Sequence, residues 1–129
     1  MKYKYTILYV ENVEQTLDFF CDAFNLKQKY LHESGDYGEL DTGSTTLSFS
    51  SVSLMNDLGK SPAPAKPEAP TFEIAFETDD VAGSLSRAVK AGAILVQDVR
   101  NEPWGQTTAY VTEANGYLIE ICSPVDGQP

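Results

Sequence analysis

The sequence predicts an α+β fold: two tandem βαβββ modules with pseudo-twofold symmetry, whose strands form a curved mixed sheet with the helices on its outer face. The first observation is an internal repeat at an offset of 68 residues. Tyr5-Thr6-Ile7-Leu8-Tyr9-Val10 leads to Asn12-Val13 and an amphipathic stretch with apolar Val13, Leu17, Phe20 and Cys21. Glu73-Ile74-Ala75-Phe76-Glu77-Thr78 leads to Asp80-Val81 and apolar Val81, Leu85, Ala88 and Val89, reproducing every spacing. Three strand candidates then come after each helix, and a proline-rich segment separates the halves. The chain reads as one domain over residues 1–129, with half-modules 1–55 and 71–125 joined by a linker, 56–70.

Each element has a local cause. Asn12 is suited to cap the first helix, with Gln15 at its third position as in a capping box, and Asp80 to cap the second. Asn25 and Gly92 tolerate the left-handed backbone that closes a helix, so the helices should end near Phe24 and Ala91. Strands are expected at Leu26 to His32, Tyr37 to Asp41 and Thr45 to Ser50, broken by Ser34-Gly35-Asp36 and Thr42-Gly43. In the second half they fall at Ala93 to Val99, Thr107 to Thr112 and Tyr117 to Cys122, around Pro103-Trp104-Gly105 and the hairpin signal Asn115-Gly116. Pro62, Pro64, Pro67 and Pro70 exclude a helix or central strand between the halves.

Composition narrows the function. The 129 residues suffice for one core, and no apolar run approaches the ~20 residues of a membrane span. Nineteen acidic residues against nine basic give a net charge of −10, which repels phosphate backbones and makes nucleic acid an unsuitable partner. The same field would favour a cationic ligand. Cys21, on the first helical stripe, and Cys122, in the last strand, read as buried free thiols. The N-terminal segment lacks the pattern of a signal peptide, so a cytoplasmic location is expected.

Alternation assigns faces. Phe72, Ile74 and Phe76 should pack under the helix with Glu73 opposite, and Ile119 and Ile121 should pack inward with Glu120 opposite. Leu8, Val10, Leu47 and Phe49 are inward in the first half, which leaves Tyr5 and Ser48 on the other face. Tyr5, Ser48, Glu73 and Glu120 are therefore candidate ligand-binding residues. Glu73 and Glu120 are also candidate general bases, since neighbouring carboxylates repel and either share a proton or attract a cation. Trp104 is either a lid packed on the core or an aromatic that stacks on a flat ligand, and Tyr110 either core or binding wall.

At these residues the chain resembles the vicinal-oxygen-chelate superfamily, which includes glyoxalases, extradiol ring-cleaving dioxygenases, and fosfomycin- and bleomycin-resistance proteins. The resemblance rests on Leu8-Tyr9-Val10-Glu11-Asn12-Val13 with Phe19-Phe20, on Ile74-Ala75-Phe76 before Asp80-Val81, on Pro103-Trp104-Gly105-Gln106, and on Asn115-Gly116-Tyr117-Leu118-Ile119-Glu120. It implies a cup-like sheet, with Trp104 at the mouth of the cup, and homodimerisation. Metal-dependent members take a ligand from the first and the fourth strand of each half, typically His and Glu. The matching positions here are Tyr5, Ser48, Glu73 and Glu120, so both histidines and one glutamate are replaced. The only histidine, His32, lies elsewhere. With those ligands replaced, the resemblance implies metal-independent small-molecule binding of the bleomycin-resistance type, sequestering a toxic or cationic compound, with no cofactor. The alternative is a glyoxalase-like lyase or isomerase that uses Glu73 or Glu120 as base with a weakly held divalent metal.

Overall fold

The computed structural model describes residues 1–125. The chain divides into two compact units, one spanning Met1–Ala63 and the other beginning at Pro64. Both have the element order β, α, β, β, β, and the first adds a short helix at its end.

In the first unit, β1 (Tyr5–Val10) enters α1 (Val13–Phe24) through Asn12, whose side chain accepts the Gln15 amide at 2.9 Å. Asn25, at φ 55°, closes the helix in the left-handed conformation that its short polar side chain tolerates. The strands β2 (Lys27–Leu31), β3 (Tyr37–Asp41) and β4 (Thr46–Ser51) complete a sheet of order β1-β4-β3-β2. β1 and β4 run parallel and the other pairs antiparallel. The stripe of α1 supplies Val13, Leu17 and Phe20 to a core with Leu8, Val10, Leu40 and Phe49, all buried. The Phe20 and Phe49 rings lie 5.2 Å apart. Burial of each such side chain contributes ~1.5–3 kcal/mol. Gly38 of β3 allows the helix to approach this closely, because a Cβ there would lie 2.7 Å from Leu17 Cδ1 and 3.0 Å from Val13 Cγ1.

Two expectations are corrected by the first unit. The segment after β4 is not wholly linker: α2 (Val52–Asp57) crosses the expected boundary between residues 55 and 56. Ser51 starts it, its Oγ accepting the Leu54 amide at 3.0 Å and donating to Asp36 Oδ1 at 2.7 Å, and Met55 is buried. Six residues are too few for a periodic signal, and a contact with the distant Asp36 is not written locally. Cys21 is only partly buried, at the margin of the stripe, and its thiol is pushed up by burial and then by Asp18 and Asp22.

The second unit repeats the plan with β5 (Glu73–Glu77), α3 (Val81–Lys90), β6 (Ile94–Asn101), β7 (Thr107–Thr112) and β8 (Leu118–Cys122), in the order β5-β8-β7-β6. Asp80 caps α3 through the Gly83 amide at 3.0 Å. Val81, Leu85 and Ala88 of that helix are buried, as are Ala109, Val111, Ile119 and Ile121 of the sheet. Phe72 departs from expectation: it precedes the strand, is 48% exposed, and sets its ring 5.8 Å from that of Tyr117. The turn at Asn115-Gly116 is organised by Glu113, buried at 4% exposure, whose carboxylate accepts the amides of Asn115 at 2.8 Å and Tyr117 at 3.0 Å and the Asn115 side-chain NH2 at 2.7 Å. Gly116 has φ +92°, and a Cβ there would lie 2.7 Å from the Ala65 carbonyl oxygen, so the proline-rich segment runs against this turn.

Candidate functional site

The geometry of the second unit brings three of the candidate residues together. β5 and β8 run parallel with Ala75 opposite Glu120 and Glu73 opposite Leu118, and β7 places Tyr110 directly across from Glu120. Cross-strand partners share a face, so Glu73, Tyr110 and Glu120 project away from the face that carries Ala109, Val111, Ile119 and Ile121. Tyr110 Oη donates to Glu120 Oε2 at 2.7 Å. Burial, then Glu120, then Glu73, hold the phenol proton on well above its ordinary range, because ionisation would put a third negative charge beside two carboxylates. Tyr110 is thus a neutral hydrogen-bond donor at neutral pH.

The surroundings share this sign. Cys122, on the same face of β8, is pushed up to about 11 by burial and then by Glu120 and Glu77, which leaves an unreactive thiol. β5, β7 and β8 carry no Lys, Arg or His. Arg100 of β6 is committed to Glu102, its Nε 2.5 Å from Oε1, and this contact lowers the pKa of that carboxyl. Thr108 links the strands, receiving Gln97 Nε2 and donating to Glu102 Oε1, each at 3.1 Å. Trp104, in the turn between β6 and β7, is not a lid on the core: it is 58% exposed, and its Nε1 donates to Gln106 Oε1 at 2.8 Å. Gln106 in turn donates to the Ser123 carbonyl at 3.0 Å, which ties the loop to the end of β8.

In the first unit Tyr5 and Ser48 also share the face opposite the helix, and register reveals two companions that alternation missed. Glu39 is the cross-strand partner of Ser48, and Tyr37 is the partner of Ser50. Tyr37 Oη donates to Glu39 Oε2 at 2.7 Å and lies 3.1 Å from Ser48 Oγ. Burial raises the Tyr37 pKa above the phenol range, with the Ser48 contact opposing and Glu39 reinforcing the shift. Ser48 itself is 0% exposed. Tyr5 is partly exposed, with the Lys4 ammonium 5.3 Å above its ring. His32 lies beyond the end of β2, its Nδ1 2.8 Å from Ser34 Oγ.

These donors do not fit a tight transition-metal site. The first unit offers a phenol and a buried hydroxyl, and the second two carboxylates of which one already accepts a hydrogen bond from Tyr110. No imidazole or thiolate joins them, and soft or borderline metals are held by such ligands. Among the described residues no group of three or more His, Cys, Asp or Glu is placed to hold a metal ion.

Solved structures share the architecture. A glyoxalase-related enzyme from Fulvimarina pelagi superposes with a TM-score of 0.81 at 19% identity, over 95% of this chain and 88% of its own. A glyoxalase/bleomycin resistance protein/dioxygenase family enzyme from Burkholderia phytofirmans PsJN gives 0.79 at 17% identity, over 93% and 96%. A member of the same superfamily from Sphaerobacter thermophilus gives 0.76 at 15% identity, over 96% and 98%. No curated protein matches the sequence. The model of the glyoxalase-like domain family matches residues 3–126, and the chain belongs to that family, within the vicinal-oxygen-chelate superfamily.

Proposed function

We propose that this protein binds a small organic cation without a metal, on the acidic face of its second sheet. The observation that carries this reading is the Tyr110 hydroxyl donated to Glu120 beside Glu73, on strands that bear no compensating base. Two carboxylates attract a cationic group, a fixed phenol hydroxyl orients a polar atom, and the exposed Trp104 ring is available to a flat guest. Sequestration of a toxic compound, in the manner of bleomycin-resistance-type proteins, is the biological role that this chemistry serves.

One feature favours a second reading, a glyoxalase-like lyase or isomerase. Glu73 is an exposed carboxylate beside a phenol that keeps its proton, which is a base and a neutral hydrogen-bond donor in one place. A panel of cationic aromatic compounds, read by thermal shift and calorimetry together with elemental analysis, tests the choice. The binding reading expects stabilisation by a compound of this class and its loss in the Glu73→Gln/Glu120→Gln double variant. A stoichiometric metal in the purified protein, or equal affinity for neutral and cationic analogues, overturns it.

A further inference from the structure

We infer that the first sheet carries a site for a compact methylated ammonium, formed where Tyr30, His32, Tyr37 and Glu39 gather at the β2–β3 hairpin. A bulge creates it. Gln28 lies across from Leu40, a core residue, but the register slips after Gln28 and Tyr30 lies across from Glu39. Lys29 is the extra residue, and it turns Tyr30 from the helix side of the sheet to the face that carries Tyr37, Glu39 and Ser48. The Tyr30 ring centroid is then 6.4 Å from that of Tyr37, with the planes inclined at 51°, and 6.3 Å from that of His32, at 77°. Tyr30 is 46% exposed and His32 is exposed, while Tyr37 and Glu39 are half-buried. The internal repeat supplies a control. β6 has the same slip, between Leu95 and Gln97, and Gln97 lies across from Tyr110 as Tyr30 lies across from Glu39. Gln97 and Thr108 thus stand where the first unit has Tyr30 and Tyr37, and they satisfy each other, Gln97 Nε2 donating to Thr108 Oγ1 at 3.1 Å. The first unit has replaced that closed polar pair with two aromatic rings beside a carboxylate.

Charge and softness select the occupant. The negative face of an aromatic ring attracts a cation within ~6 Å of its centroid, and these centroids are close enough for one cation to reach more than one ring. Glu39 adds a full charge, held in place by the Tyr37 hydroxyl, which donates to Oε2 at 2.7 Å. β3 and β4 carry no Lys or Arg. The two lysines of β2 belong to the far end of the hairpin, where Lys27 lies across from Asp41 and Lys29 Nζ donates to Thr46 Oγ1 at 3.1 Å. The net charge of −10 draws cations to the chain and repels anions. A primary ammonium is strongly hydrated and gives up water reluctantly, whereas N-methyl groups settle on ring faces, so the site favours the methylated form. It uses none of Glu73, Trp104, Tyr110 and Glu120, and it stands whether or not the second sheet binds a guest.

Titration of the full chain with choline, followed by backbone amide chemical shifts, provides the test. The control compound is the uncharged carbon isostere of choline, with a tert-butyl group in place of the trimethylammonium. Amides of Tyr30, His32, Tyr37 and Glu39 should shift saturably with choline in the millimolar range, and the isostere should bind about tenfold more weakly. Tyr30→Leu and Glu39→Gln should each weaken choline binding by about fivefold. The Glu73→Gln/Glu120→Gln variant should bind choline as the wild type does, which separates this site from the one proposed on the second sheet. If a variant of the first sheet misfolds, the comparison of choline with its isostere on the unmodified protein decides. Absence of saturable shifts at these amides, equal binding of the isostere, a folded Tyr30→Leu variant with unchanged affinity, or loss of choline binding in the Glu73→Gln/Glu120→Gln variant would each overturn the assignment.

Discussion

Tyr110→Phe removes one oxygen and probes the chemistry of the acidic face at two pH ranges. At neutral pH it deletes the 2.7 Å hydrogen bond to Glu120. Hydrogen bonds to charged groups contribute ~1.5–3 kcal/mol, and partial exposure of both partners moves the expected loss to the lower end, about 1.5 kcal/mol. At alkaline pH the sign reverses. The native phenol pKa is raised above its unfolded value of about 10, so its contribution is complete below that value and is lost as pH climbs toward the native pKa. In that window the wild type should lose about 1.4 kcal/mol per pH unit more than the Phe variant. Tyr37 and Cys122 shift in the same direction and weaken both proteins alike, so only the difference between the two is read. Urea unfolding at several pH values between about 8 and 11.5 measures it. Parallel curves for wild type and variant would refute the placement of Tyr110 between two carboxylates.

Gly38→Ala should cost ~1–3 kcal/mol in denaturant unfolding, because the new methyl meets Leu17 and Val13 where α1 presses on β3. A neutral result would mean that helix and sheet yield to the methyl and are not in tight contact there. Glu113→Gln tests the turn after β7 through its pH dependence. Burial outweighs the hydrogen bonds and raises this carboxyl, so its contribution is complete below the unfolded value near 4.3 and declines as pH rises through the native value. Relative to the Gln variant, the wild type should lose stability as pH rises above the unfolded value, read from melting temperatures at a series of pH values; an opposite slope would mean that the hydrogen bonds prevail.

What the sequence determined by itself was whatever depends on local chemistry and on period. Asn12 caps a helix because its side chain reaches the Gln15 amide three residues on, and Asn25 ends it because its own backbone accepts a left-handed turn. Strand alternation of period two placed Glu73 and Glu120 opposite Ile119 and Ile121, and Tyr5 and Ser48 opposite Leu8 and Phe49, and the 68-residue repeat announced two modules of one topology. Tertiary structure decided which residues on those faces touch. Tyr110 meets Glu120, and Glu39 meets Ser48, only through strand register, which depends on pairing between segments distant along the chain. The same holds for α2, started by a Ser51–Asp36 contact across fifteen residues, and for Glu113, whose burial comes from the turn that it organises. A side chain's own backbone selects its face, whereas its neighbours on that face belong to other strands, and long-range packing alone brings them there.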